Sequence, residues 1–148
     1  MSRKLYGICS LLLVLVIYTF SSIPDLNLVD QRVLSPYWAQ WINEHTYRFG
    51  GTGFFSYTIS PHPDFVLHKI GHVIAFGLLG LTLFMAMESA YCAVFLAIVL
   101  ASADELHQSF VVGRSSRFGD ILLDTVAAFM FISLARIYFT RYGKGIRG

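Results

Sequence analysis

Charge is scarce in this sequence. Lysine, arginine, aspartate and glutamate make up 14% of its 148 residues, against about 25% in ordinary soluble domains. That shortage excludes an ordinary soluble domain. With 55% hydrophobic residues and a mean hydropathy of +0.61, the chain falls in the membrane class. The formal net charge of +2 is too small to draw nucleic acid, and there is no basic helix or RNA-binding signature. Cysteine is nearly absent. Cys9 and Cys92 both lie in apolar runs, where they read as small packing residues, and a single pair makes no disulfide framework. Cys9 precedes most of its run, so it is not a lipoprotein cleavage cysteine. Gly50-Gly51-Thr52-Gly53 is not followed by Gly-Lys-Ser/Thr, which excludes a phosphate loop and leaves a turn. No motif calls for a cofactor.

Proline is confined. Pro24, Pro36, Pro61 and Pro63 all lie between residues 23 and 63, as do both tryptophans. Four apolar runs lie outside that interval and predict membrane helices at about 5–23, 65–87, 91–112 and 120–139. The first competes with a signal peptide, but Tyr18-Thr19-Phe20-Ser21-Ser22 offers no small-x-small cleavage site, so a retained helix is expected. Asp64, after Pro63, is expected to cap the second span. The long first loop is too polar to cross. Its Tyr37, Trp38, Trp41, Ile42 and Tyr47 suit a short helix at the membrane surface. The fold expected is an all-α integral membrane protein: one domain over residues 1–148, with four helices and a long extracytoplasmic first loop.

Orientation follows from basic residues. Arg3 and Lys4 precede the first span, and Arg136, Arg141, Lys144 and Arg147 flank or follow the last. Lysine and arginine favour the cytoplasmic side, so both termini are expected there, in the inner (plasma) membrane. Residues 141–148 read as a frayed basic tail.

The remaining charge is concentrated. Between Asp104 and Asp124 four carboxylates (Asp104, Glu105, Asp120 and Asp124) and two arginines (Arg114 and Arg117) interrupt two apolar runs. With Lys69 and His72 on the second span, they gather at one expected depth, on the outer side. Ala93, Ala97, Ala101 and Glu105 share one helical stripe, and Ala97, Ala101, Asp104 and Gln108 the next. Asp120 and Asp124 share a face with Ala127 and Ala128. Small residues let membrane helices approach closely, so these carboxylates are expected to face neighbouring helices. Lys69, near a helix N-terminus, and Asp104 and Glu105, near a C-terminus, each oppose their own helix dipole. They are expected to offset one another, with Lys69, Arg114 and Arg117 as the partners of the acids. His45, His62 and His107 read as surface residues, and Ser109, Ser115 and Ser116 as solvated turns.

Lys69-x-x-His72 with Phe76 and Gly80, then Asp104-Glu105-x-x-Gln108-x-Phe110-x-x-Gly113-Arg114, then Asp120-x-x-x-Asp124, together resemble the VanZ-like family of small bacterial membrane proteins. That family is named for a member linked to teicoplanin resistance. The resemblance runs from about residue 21 to 139 and includes the Ser21-Ser22-Ile23-Pro24 exit from the first span. The chain departs from the pattern at Val112, where proline is common, at His68, where aspartate is frequent, and at Ala127 or Ala128, where glycine is often found. The resemblance implies a four-helix membrane fold and an envelope role, in antibiotic resistance or in handling a lipid or wall precursor.

Three readings of the cluster Lys69, His72, Asp104, Glu105, Gln108, Arg114, Asp120 and Asp124 stay open. It is an ion-pair lock between helices, a binding site for the head group of a lipid, wall precursor or glycopeptide, or an enzyme active site. The residues lean away from the enzyme, since no nucleophile stands out. His68-x-x-x-His72 has a spacing that holds metals, with Asp104, Glu105 or Asp124 to complete it. Lys69 would repel a cation there and His-Glu-x-x-His is missing, so no metal is expected. Neither ligand nor oligomeric state can be read from the residues.

Overall fold

The computed structural model describes residues 2–26, 28–29 and 35–142. The tail beyond Tyr142, with Lys144 and Arg147, lies outside the described residues. In chain order the helices are α1 (Arg3–Ser21), α2 (Pro36–Glu44), α3 (Pro63–Met87), α4 (Ala90–Gln108) and α5 (Phe118–Tyr142). All but α2 are long and apolar enough to cross a membrane, and the chain is an all-α multi-pass membrane bundle. Tyr91, Phe95, Phe129 and Leu134 stand exposed along these helices, where lipid replaces water and their exposure carries no hydrophobic cost.

The helix ends refine the sequence reading. α3 starts at Pro63, and its cap is His62, not Asp64: the His62 imidazole accepts from the Asp64 amide at 3.2 Å. Proline at the first helical position leaves no amide to satisfy. That frees the Asp64 carboxylate to bind the incoming chain, taking the amides of Leu28 at 2.5 Å and Val29 at 3.1 Å. α4 stops at Gln108 and does not continue to Val112. Phe110 and Val111 donate to the carbonyls of His107 and Gln108, which tightens the chain into turns of three-residue spacing. α5 runs through Arg141 to Tyr142, so the tail's first residue is helical.

The first loop holds α2, as its aromatic residues suggest, and a feature only partly legible in advance. Two three-residue strands, β1 (Tyr47–Phe49) and β2 (Tyr57–Ile59), pair antiparallel with Tyr47 opposite Ile59. The glycines read as a turn are what close this hairpin. Gly50 has φ +75° and Gly53 φ +77°, a region other residues rarely enter. A β-carbon on Gly50 would also lie 2.5 Å from the Phe55 carbonyl.

Small residues set the packing below the loops. α3 packs most extensively against α5. At Gly80 a β-carbon would come within 2.8 Å of Ala128 Cα, so the two backbones nearly touch. Ala93, Ala97 and Ala101 form a fully buried stripe on α4, as do Ala127 and Ala128 on α5. Phe76, Leu79 and Ile132 fill the space between. α1 is the helix least covered by protein. A hydrogen bond from Ser10 to Thr82, 2.9 Å long, ties it to α3, and such bonds are worth about 0.6 kcal/mol in membranes.

Candidate functional site

The C-terminal ends of α1 and α4 and the N-terminal ends of α3 and α5 meet at one end of the bundle. Described residues of the two loops, among them Asp25, Arg48, Thr58, Gly113 and Arg117, lie beside it. Here the sequence's polar residues are buried: Asp104, Glu105, Gln108, Asp120 and Asp124 are all under a tenth exposed, with Glu105 and Asp124 at 1%. Each sits one or two helical turns beyond an alanine of the packing stripe, which carries it inward with the stripe.

Of the three expected cationic partners, only Lys69 meets one of these acids through its side chain among the described residues. Lys69 Nζ meets Asp120 Oδ1 at 2.5 Å, so the charge at the start of α3 is offset by the start of α5, not by the acids of α4. Tyr57 and Phe65 rings lie 5.6 and 5.2 Å from the same ammonium, within cation–π range. Glu105 accepts the Arg117 backbone amide, not its guanidinium. That contact sets the carboxylate of a helix C-terminus against the amide leading into α5, where negative charge is favoured. Arg114 binds a backbone carbonyl and not one of these four acids. Gly113, at φ +77°, redirects the chain, and Arg114 donates to the Phe20 carbonyl at 2.7 Å. It thus binds the C-terminus of α1, where the helix dipole favours a cation.

The two histidines at helical spacing also part company. His68 Nδ1 donates to the Asp64 carbonyl at 2.8 Å, while His72 Nδ1 donates to Asp124 Oδ2 at 3.1 Å. Asp104 accepts from Gln108 at 2.9 Å, and Gln108 also reaches Ser21 at 3.4 Å. Three buried atoms have no hydrogen-bond partner among the described residues: His68 Nε2, Arg114 Nε and Asp124 Oδ1.

Other contributors carry little signal in the sequence. Tyr57 stands on β2, and its ring fills the space over Gly119. Its burial, and after it the negative charge of the nearby Asp120 carboxylate, push its phenol up to about 12. His107 is not a surface residue. Its Nε2 meets Ser22 Oγ at 2.9 Å and its ring lies 4.6 Å from that of Tyr18, tying α4 to α1. His62 is the α3 cap, and His45 stacks on Trp41. Ser21, buried beside Gln108, belongs to the Ser21-Ser22 exit; its hydroxyl was the cue available.

Lys69, His72, Gln108, Arg114 and Asp120, with His62, Asp64 and His68, line a polar cavity of about 430 Å³. Among the described residues its walls carry four cationic side chains, Arg48, Lys69, Arg114 and Arg117, and three carboxylates, Asp25, Asp64 and Asp120. A second cavity of about 250 Å³ lies between α1 and α3 and is lined mainly by apolar residues such as Val16, Phe20, Leu67 and Phe76. The two share Leu26, His68, His72 and Arg114 as walls.

A family model described as VanZ/LLP1 matches residues 6–139. No curated protein and no solved structure gives a match.

Proposed function

The chain belongs to the VanZ/LLP1 family, and from that premise we propose that its polar end binds the anionic head group of an amphiphile in the cell envelope. Both termini are cytoplasmic in this reading, the membrane is the inner (plasma) membrane, and the loops face outward. The observation that carries the proposal is the paired cavities. A polar chamber of about 430 Å³ that carries both lysine and arginine side chains adjoins an apolar one of about 250 Å³ between two membrane helices. That division suits a molecule with a charged head and a hydrocarbon chain. Lys69 and Arg114 contact phosphate or carboxylate, and the carboxylates and Gln108 contact sugar hydroxyls or amines. Lipid-linked wall precursors, phospholipids and lipophilic glycopeptides share this chemistry, and a role in teicoplanin susceptibility would follow from the last.

A helix lock explains less. Among the described residues at this end, only Lys69 pairs with a carboxylate through a lysine or arginine side chain. Arg114 binds a carbonyl, and its Nε has no partner among the described residues.

The test is a titration of the protein in neutral phosphatidylcholine nanodiscs, followed by the fluorescence of Trp38 and Trp41. The probes are a polyprenyl-diphosphate sugar, phosphatidylglycerol and teicoplanin. Saturable binding of at least one is expected, weakened tenfold or more by Arg114→Gln. Equal, unsaturable signals from all three would end the proposal.

A further inference from the structure

We propose that His72, Asp104 and Asp124 form a site for a divalent transition-metal cation beside the polar cavity. The inference stands apart from the head-group reading and fails or holds separately from it. One donor atom from each of the three residues lies within 4.8 Å of the others. Ligands held about 2.1 Å from a common ion stand roughly 3 to 4 Å apart, so closure asks only for small side-chain movements. The ligands come from three helices: His72 from α3, Asp104 from α4 and Asp124 from α5. Their bases are fixed by the alanine stripes and the Gly80 contact.

The electrostatics independently call for a cation. Asp124 is 1% exposed and Asp104 8%. Among the described residues neither meets a lysine or arginine side chain. Asp104 has the amide of Gln108, and Asp124 has the imidazole of His72. The second oxygen of Asp124 is buried with no hydrogen-bond partner at all among the described residues. A buried carboxylate oxygen in that state is costly, and a bound cation removes the cost. Lys69, the charge that would repel an ion, is drawn aside by Asp120 at 2.5 Å. His68, whose spacing to His72 first suggested a metal pair, is held by the Asp64 carbonyl and is not a ligand.

One imidazole and two carboxylates suit manganese or zinc better than magnesium or calcium, which prefer all-oxygen shells. His72 also lines the polar cavity, so the ion has a route in and retains open positions toward it.

The test uses the whole protein purified in detergent, stripped with chelator and dialysed against Mn²⁺ or Zn²⁺ alone. Bound metal is counted by elemental analysis, and Mn²⁺ binding is titrated by electron paramagnetic resonance. About one ion per chain is expected. Asp124→Asn and Asp104→Asn are expected to weaken binding at least tenfold, with helical content and elution volume unchanged. His68→Ala is expected to leave it unaltered. Absence of stoichiometric binding to the wild-type protein overturns the site, whatever the variants do. Binding that survives both asparagine variants overturns it as well, since it then lies elsewhere.

Discussion

The two halves of this bundle are built to opposite rules. In the half around Gly80, Ala97 and Ala128, small residues bring helices into backbone contact, and Phe76, Leu79 and Ile132 close the remaining space. In the half around Lys69, Glu105 and Asp124, polar side chains hold the helix ends around a cavity of about 430 Å³. One half gains its stability from contact, since without water it must come from packing and interhelical hydrogen bonds. The other keeps charge and open volume in a place where both cost stability. In the proposed reading, that open volume is the space a ligand occupies.

Substitutions that fill the packed half should have the largest effect. Gly80→Val sets side-chain atoms against the Ala128 backbone, where nothing flexible can give way. A loss of about 3 kcal/mol is expected, or failure to accumulate. Thermal unfolding in detergent measures it, and an unchanged midpoint would mean that α3 and α5 do not meet there.

Breaking the ion pair at the polar end comes next. Lys69 and Asp120 are about a fifth and a tenth exposed, so Lys69→Met strands a largely buried carboxylate at a cost of about 2 kcal/mol. Adding Asp120→Asn should recover most of it. A double variant no better than the single one would show that the lysine acts through some other contact. Ser10→Ala, which removes the bond to Thr82, should cost only about 0.6 kcal/mol. A much larger loss in the same unfolding assay would mark α1 as more than a lightly held flank.

The smallest effect is a titration. The folded Tyr57 phenol titrates at about 12, above its unfolded value of about 10. Burial of the neutral phenol beside Asp120 therefore contributes fully below the unfolded value and is lost as pH rises through about 12. Alkaline difference absorbance should show one tyrosine step missing near pH 10 relative to Tyr57→Phe plus free tyrosine. A normal step would place Tyr57 in water, outside the polar end.

The same division explains what could be read from the residues. The four spans were legible because apolar length is a local property, and so was the inward turn of Asp104, Glu105 and Asp124, through their stripes with alanine. Which charge meets which was not. The pairing depends on chain direction in the loops, on Gly113 sending Arg114 back to α1 and on His62 relieving Asp64 of capping. The hairpin that brings Tyr57 over Gly119 is likewise set by two left-handed glycines and contacts distant in sequence. Helical periodicity carries no information about either.

The central claim is that the polar end holds space for a ligand and is not a clasp between helices. The most direct measurement is the shift in unfolding midpoint that a polyprenyl-diphosphate sugar, phosphatidylglycerol or teicoplanin produces in the wild-type protein and in Arg114→Gln. One of these is expected to raise the wild-type midpoint by several degrees, and Arg114→Gln is expected to lose most of that rise. A variant that unfolds far earlier by itself yet gains the same protection from the same amphiphile would contradict it.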